Sequence, residues 1–161
     1  MCYSNKLYQL ALLPLMSMAL LSLALLSLGC EDPCATEANE MLLEAAAAEE
    51  GAIRTESGLV FLELIRGTGP QPQATSTVQV HYEGRLTSGK VFDSSRRRGP
   101  AKFKLNEVIP GWTEGLQLLK GGGRAKLTIP AGLAYGSKGK RGTIPPCTVL
   151  VFDVELLGIS D

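Results

Sequence analysis

The clearest pattern of apolar and polar positions is a strict alternation over residues 77–84. Val78, Val80 and Tyr82 fall on one face of this segment, and the polar side chains fall on the other. Because successive side chains of a strand point to opposite faces of a sheet, the pattern predicts a strand with one buried face. The only histidine of the chain, His81, lies on the polar face, so we expect it to be exposed and without a chemical role.

Shorter apolar or alternating runs predict further strands, each bounded by turn residues such as Gly, Pro and Ser. These runs cover residues 58–65, 91–93, 102–105, 124–129 and 148–157. No internal repeat is present. The count predicts an α+β domain in which five or six antiparallel strands form a half-barrel sheet wrapped around one short helix.

The single tryptophan lies where a loop becomes that short helix. A Pro-Gly pair at 110–111 marks the loop, and three glycines at 121–123 end the helix. Leu116 and Leu119 share the apolar face of Trp112. A large ring in this position is either a core residue or the floor of a pocket, and this segment alone favours the core residue.

The N-terminus has the pattern of a targeting segment. Residues 7–28 are almost wholly apolar and follow a single basic residue, Lys6. Such a run is typical of a secretory signal, although it is also long enough for an uncleaved membrane anchor. The sequence Leu-Ser-Leu-Gly-Cys at 26–30 resembles a bacterial lipobox, in which Cys30 is lipidated. We therefore expect a lipoprotein signal peptide over 1–29, and a lipid-anchored protein of the bacterial cell envelope, at the outer membrane or on the periplasmic face.

The next segment, 30–57, is expected to be an acidic spacer ahead of a folded domain at 58–161. Residues 36–50 are rich in Ala, Glu, Leu and Met, which favour a helix, with Thr36 as its cap and Gly51 as its stop. The large apolar residues of this helix are consecutive, so it is not expected to form a strong coiled coil. We expect it to hold the domain away from the membrane.

Charge is balanced over the whole chain, with sixteen basic and sixteen acidic residues, but it is unevenly distributed. Residues 66–161 contain fourteen bases and seven acids. A basic domain can indicate nucleic acid as a partner. Here the bases are scattered over strands and loops, without a helix-turn-helix or an aromatic RNA-binding signature. We expect a solvated surface and no nucleic-acid partner.

Four cysteines are present: Cys2 lies in the expected signal peptide, and Cys30 is the expected lipidation site. The other two, Cys34 and Cys147, could pair in an oxidising compartment, but connectivity cannot be read from sequence. Because Cys34 lies in the leader and Cys147 follows far along the chain, two unpaired thiols are the favoured interpretation. No cysteine spacing resembles a zinc or thioredoxin motif.

Catalytic groups are scarce in the domain. The sequence has no Ser-His-Asp arrangement, phosphate-binding loop, paired carboxylates or metal-ligand cluster, so we expect neither a metal nor a cofactor. What remains is an aromatic set with one acid: Tyr82, Phe92, Asp93, Phe103, Trp112, Tyr135 and Phe152. Alone, the acid would be interpreted as a turn cap. Together with these rings it could supply a polar contact in an apolar ligand pocket.

Five short motifs follow one another along the domain: Val-His-Tyr-Glu-Gly at 80–84, Gly-Lys-Val-Phe-Asp-Ser-Ser at 89–95, Val-Ile-Pro-Gly-Trp at 108–112, Ile-Pro-Ala-Gly-Leu-Ala-Tyr-Gly at 129–136 and Ile-Pro-Pro at 144–146. Together they resemble FKBP-type peptidyl-prolyl isomerases over residues 58–161. The segment 100–108 resembles the secreted branch that includes the macrophage infectivity potentiator. The leader is much shorter than the dimerising helical arm of that branch, so the resemblance does not extend to dimerisation.

The resemblance implies a half-open sheet curled around the tryptophan helix, with a pocket between them. Trp112 would form the floor of this pocket. The walls would be formed by Tyr82, Phe92, Val108, Ile109, Ile144 and Phe152. The polar contacts to substrate would come from the Asp93 carboxylate, the Tyr135 hydroxyl and the main-chain N–H of Ile109.

The resemblance implies proline-containing polypeptides as substrates and FK506- or rapamycin-type macrolides as ligands, without a cofactor. Ala101 stands where many members have an aromatic wall, which should widen that side of the pocket. Lys140 and Arg141 replace a frequent His-Pro pair, and Thr143 replaces an apolar residue. These departures affect the expected peptide preference and drug affinity.

Two functions follow from this interpretation. The first is a tethered isomerase acting on envelope or secreted proteins. Rotation about an X-Pro bond needs neither a nucleophile nor a proton shuttle, so the scarcity of catalytic groups agrees with it. The alternative is a membrane-tethered chaperone or partner-binding module with little turnover. The presence of Asp93, Trp112 and Tyr135 favours the enzyme.

Overall fold

A computed structural model describes residues 32–160 of the chain. The predicted signal peptide and the predicted lipidation of Cys30 lie outside these residues. Within the described range, none of the helices combines the length and the apolar character needed to cross a bilayer.

One antiparallel sheet of seven strands makes up most of the described chain. In chain order the strands are β1 (Ala52–Arg54), β2 (Val60–Ile65), β3 (Thr77–Leu86), β4 (Val91–Ser94), β5 (Ala101–Lys104), β6 (Arg124–Ile129) and β7 (Leu150–Ser160). Across the sheet the order is β1-β2-β6-β7-β3-β4, and β5 also pairs with β3. The predicted α+β class is confirmed. The strand count is seven rather than five or six because β1, with only three residues, has no alternation of its own.

Strand β3 follows its predicted alternation. Val78, Val80 and Tyr82 are buried, and the residues between them are half-buried. The histidine expected to be exposed is one of the half-buried residues, with its Nδ1 3.2 Å from the Ser95 Oγ. The reason is that the turn after β4 lies beside β3, where the Ser95 N–H donates to the Tyr82 carbonyl at 3.0 Å.

The tryptophan helix, α2 (Pro110–Leu118), begins at the proline that the sequence assigned to the preceding loop. Proline suits the first position of a helix, where its missing N–H has no intrahelical role. Two glycines let α2 approach the sheet closely. A Cβ at Gly111 would lie 2.4 Å from the Cγ2 of Ile129, and a Cβ at Gly115 would lie 2.8 Å from the Cδ2 of Leu127. The side chain of Trp112 is thereby buried against the sheet.

The predicted leader helix forms as α1 (Glu37–Ala47), and the Thr36 Oγ1 accepts the Asn39 N–H at 3.2 Å as its cap. It is not a free-standing spacer. Leu43 is 4% exposed and packs in a small cluster with Val60 and Val149 of the sheet domain. The described residues, 32–160, form one compact unit that includes α1. A single large apolar residue on the correct face is enough for this contact, which the run of consecutive apolar residues did not reveal.

A disulfide joins Cys34 to Cys147, with their Cα atoms 4.8 Å apart. The expectation of two unpaired thiols is therefore wrong. Although 113 residues separate the two cysteines in sequence, the fold brings the start of the leader against the loop before β7. The Asn39 side-chain amide donates to the carbonyls of both cysteines, each at 2.9 Å, and holds the two segments together.

Candidate functional site

A pocket of about 480 Å³ lies between the sheet and the N-terminal end of α2. Its lining consists of Tyr82, Phe92, Asp93, Phe103, Glu107, Val108, Ile109, Trp112, Tyr135, Lys140 and Phe152. All but one of the site residues predicted within the domain are in this lining. The structure therefore brings together side chains from β3, β4, β7, the start of α2 and the loop after β6.

Trp112 forms the floor of the pocket and is also a core residue, with 4% of its surface exposed. The rings of Tyr82, Phe103 and Phe152 each meet it edge-on, with centroids 5.3 Å away and interplanar angles of 81–85°. Edge-to-face contacts of this kind stabilise aromatic clusters beyond simple area burial. The indole N–H is buried without a hydrogen-bond partner among residues 32–160. Trp112 is therefore both a core residue and part of the pocket lining.

Asp93 supplies the acidic wall of the pocket and is held by three donors. Its Oδ2 accepts the Tyr82 hydroxyl at 2.7 Å, and its Oδ1 accepts the Ser94 N–H at 2.9 Å and the Arg98 guanidinium at 2.5 Å. Partial burial disfavours the charged carboxylate, but these hydrogen bonds and the Arg98 charge outweigh it and lower the pKa of Asp93. Asp93 is therefore ionised at neutral pH.

Tyr82 is the neutral partner of this acid. Burial, followed by the hydrogen bond to Asp93, raises the pKa of the Tyr82 phenol to about 12. The hydroxyl therefore remains a donor at all physiological pH values and fixes the orientation of the carboxylate.

A titration of the Asp93 carboxyl carbon by NMR is expected to have its midpoint below the ordinary value of 3.8. Replacing Arg98 with glutamine should raise this midpoint, because the charge that favours the carboxylate is lost. Since folding lowers this pKa, the stabilisation from ionised Asp93 is present above pH 3.8 and is lost as the pH falls through the lowered value. Arg96→Gln is the control, because Arg96 bonds Asp153 instead. Equal midpoints in wild type and Arg98→Gln would contradict this assignment.

Two further polar groups face the pocket. The backbone of Ile109 is extended at the N-cap of α2, and its carbonyl accepts the Trp112 N–H at 2.9 Å. Its own N–H has no acceptor within the described part of the chain. The Tyr135 side chain lines the pocket from the loop after β6, and its hydroxyl likewise makes no hydrogen bond to the described residues. Both groups are free to donate to a ligand.

Ile144, the remaining wall residue that the resemblance implied, is not in the pocket lining. Its side chain is 4% exposed and belongs to the main core. Its backbone N–H and carbonyl each bond to Lys140, both at 2.8 Å. Ile144 therefore supports the loop that carries Lys140, and Lys140 itself lines the pocket.

Three lining residues were not assigned to the site from the sequence: Phe103, Glu107 and Lys140. Phe103 belonged to the aromatic set, and its place on the alternating strand β5 could have indicated it. Lys140 lies in a long loop without periodicity, and its Nζ is 5.9 Å from the centroid of the Tyr135 ring. No periodic pattern places that loop over the pocket, although the family resemblance already linked Lys140 to the peptide preference.

Comparison with known proteins agrees with this site. The family model described as FKBP-type peptidyl-prolyl cis-trans isomerase matches residues 69–157. The isomerase FkpA of Aeromonas hydrophila is 55% identical over 122 residues, which are 75% of this chain and 45% of that protein. The macrophage infectivity potentiator of Trypanosoma cruzi is 51% identical over 123 residues, covering 75% of this chain and 63% of that protein. The chain belongs to the FKBP-type peptidyl-prolyl cis-trans isomerase family, in the branch that contains these proteins.

Solved structures show the same fold. A peptidyl-prolyl cis-trans isomerase from Pseudomonas syringae pv. tomato matches with a TM-score of 0.73 and 40% identity, over 77% of this chain and 92% of that one. FkpA from Escherichia coli matches with a TM-score of 0.74 and 47% identity, over 76% of this chain and 58% of that one. The chain spans about half the length of the curated relatives that it matches. The family inferred from the sequence motifs is confirmed.

Proposed function

We propose that this protein is a peptidyl-prolyl cis-trans isomerase that accelerates rotation of X-Pro bonds in polypeptides. The observation that carries the proposal is the composition of the pocket of about 480 Å³ described above. Aromatic walls, the ionised Asp93 carboxylate and two donors, the Ile109 N–H and the Tyr135 hydroxyl, converge there. Family membership supports the same conclusion.

The chemistry follows from the nature of the barrier. A planar amide loses its resonance when it twists, which gives a barrier of roughly 18–20 kcal/mol. The twisted amide is less polar than the planar one. An apolar cavity that excludes water therefore binds the twisted transition state more favourably than the planar ground state. This is preferential binding of the transition state. A thousandfold acceleration needs only about 4 kcal/mol of such preference.

Each polar group has a role in this mechanism. The Ile109 N–H and the Tyr135 hydroxyl donate to the carbonyls on either side of the proline and hold the flanking chain while the bond rotates. The proline ring rests on Trp112, beside the contacting rings of Phe92 and Phe152, and Val108 closes the same apolar surface. The Asp93 carboxylate interacts electrostatically with the rotating amide. Ile144 acts from the core by supporting the loop.

The test is the cis-to-trans rate of a proline tetrapeptide with the purified protein. We expect Asp93→Ala to lower kcat/KM about tenfold, because it also leaves Tyr82 and Arg98 without their acceptor. Tyr135→Phe should lower it about fivefold, the effect of one lost hydrogen bond. Glu63→Gln, at an exposed position of β2, is the control and should have no effect. Unchanged rates in both site variants would remove the assigned roles, and no acceleration by wild type would favour a binding module instead.

We infer that the protein acts in the bacterial cell envelope, anchored by lipid on Cys30. The support is the signal-like segment, the lipobox-like sequence and the Cys34–Cys147 disulfide, since disulfides persist in oxidising compartments. The substrates are then prolyl bonds of envelope or secreted proteins. A mass spectrum of the mature protein without lipid on Cys30 would remove the anchor from this proposal.

Macrolides of the kind that FKBP-type isomerases bind are the expected small-molecule ligands of the same pocket. Ala101 is half-buried against the core and has only a methyl group where many members have an aromatic ring, so we expect a wider pocket on this side. The apolar floor and the Ile109 N–H are the groups that such a ligand would use.

A further inference from the structure

A second depression, of about 670 Å³, lies at the sheet edge formed by β4. It is lined by Glu83, Val91, Ser94 and the three consecutive arginines at 96–98; we name it the arginine groove. Asp93 lines the pocket and Ser94, the next residue, lines the groove. Because successive side chains of a strand point to opposite faces, the groove lies on the other face of β4 from the pocket, around this edge of the sheet.

The carboxylates around the groove already have partners. Glu83 forms an ion pair with Arg85. Asp153 accepts two charged hydrogen bonds from Arg124, at 2.7 and 2.6 Å, so its longer contact with Arg96, at 3.3 Å, is additional. Arg97 forms no ion pair with any residue between 32 and 160. The groove therefore has positive charge that the fold does not neutralise.

The geometry of the groove suits carboxylate groups of an extended peptide. The side chains of Arg96 and Arg98 are 40% and 66% exposed, so their guanidinium groups can reorient towards a ligand. A guanidinium can donate two parallel hydrogen bonds to one carboxylate. Val91, an apolar residue that is 41% exposed, offers a surface for the stem of a glutamate side chain or for the peptide backbone.

We propose that the arginine groove binds acidic residues of the substrate, about two to four residues from the prolyl bond at about 3.3 Å per extended residue. This inference rests on the proposed isomerase function and specifies its substrate class: prolyl bonds near acidic segments. Arg98 connects the two sites, because its guanidinium also bonds the Asp93 carboxylate in the pocket. A substrate carboxylate in the groove therefore contacts the cation that positions the acid of the pocket.

The experiment compares peptides that differ only in charge. Ala-Leu-Pro-Phe is extended by three glutamates on its N-terminal or its C-terminal side, and matched peptides carry three glutamines. Isomerisation is measured by exchange NMR. At ~20 mM salt, we expect kcat/KM for one of the two glutamate peptides to be about fivefold higher than for its glutamine counterpart. At ~500 mM salt the ratio should fall below about two, because salt screens exposed ion pairs.

Arg97 is the informative position, because its side chain has no ion-pair or hydrogen-bond partner within residues 32–160 that a substitution would remove. Arg97→Gln should reduce the glutamate preference to about twofold and Arg97→Glu should abolish it, while turnover of the glutamine peptides stays unchanged. Arg66→Gln is the matched control. Arg66 is an exposed arginine directly after β2, and three strands separate β2 from β4 across the sheet. It should keep the full preference.

Several results would overturn the proposal. Equal turnover of glutamate and glutamine peptides on both sides of the proline would do so, as would an equal loss of preference in Arg66→Gln. Displacement of the glutamate peptide by an equal concentration of single-stranded DNA would show a general polyanion surface instead. If the protein accelerates isomerisation of none of the peptides, the proposed isomerase function is wrong, and the groove needs a test that does not depend on turnover. Binding of a fluorescent glutamate peptide to wild type and Arg97→Gln then decides the groove independently.

Discussion

Replacing Gly84 with alanine is expected to lower kcat/KM for prolyl isomerisation about 100-fold, because displacing the groups of a site by about 1 Å has effects of this size. Gly84 lies in β3 opposite Asp93 of β4 and Phe152 of β7. A Cβ at this position would lie 2.6 Å from the Cζ of Phe92 and 2.7 Å from the Cε1 of Phe152. Both rings must therefore move, and both are walls of the pocket.

The measurement is the tetrapeptide rate together with chemical unfolding, which separates a displaced pocket from a lost fold. Overpacking should also cost about 1–3 kcal/mol of unfolding free energy. Gly158→Ala is the matched control, since a Cβ there would meet only Gln79 atoms at 4.0 Å, an ordinary contact within the same sheet. A Gly84→Ala protein with wild-type rates would show that the two rings do not form the substrate walls.

Reduction of the Cys34–Cys147 disulfide is expected to lower the unfolding free energy by about 4 kcal/mol. The bridge closes a loop of 113 residues, and a long loop gives a large loss of entropy in the unfolded chain. In the folded state the bridge fixes α1 to the loop that carries Tyr135, because the Cys147 N–H donates to the Gly136 carbonyl at 2.9 Å. Reduction should therefore loosen that loop as well.

Guanidinium unfolding with and without reductant measures this effect. The variant with both Cys34→Ser and Cys147→Ser should unfold like the reduced protein, and adding reductant should not change it further. If the unfolding free energies of oxidised and reduced wild type differ by less than about 1 kcal/mol, the prediction is wrong. The loop-closure contribution expected for a loop this long is several times larger. Hydrogen exchange at residues 136–147 would show whether the loop opens.

Features with a regular period were predictable from the sequence. The alternation of β3 placed Val78, Val80 and Tyr82 on the buried face, and the structure confirms it. The tryptophan segment was predictable because a Pro-Gly pair and a glycine run bound it. The site was predictable wherever a motif fixes both the residue and its backbone, as with Asp93 on β4 and Ile109 before α2.

Features that depend on contacts between distant segments were not predictable in the same way. The Cys34–Cys147 bridge and the packing of Leu43 both require the leader to return to the sheet, and neither leaves a local pattern. The same applies to Lys140, whose long loop lies over the pocket only because Ile144 holds it from the core. The contact between Arg98 and Asp93 was not predictable either, because it depends on the conformation of the turn between them.

The position of β7 in the sheet has a consequence for folding. The strands before it form two groups, β1-β2-β6 and β4-β3-β5, and among the described strands only β7 forms backbone ladders with both. The sheet therefore cannot be assembled until residues 150–160 have left the ribosome. Pairings of this kind join residues far apart in sequence, which makes folding slow.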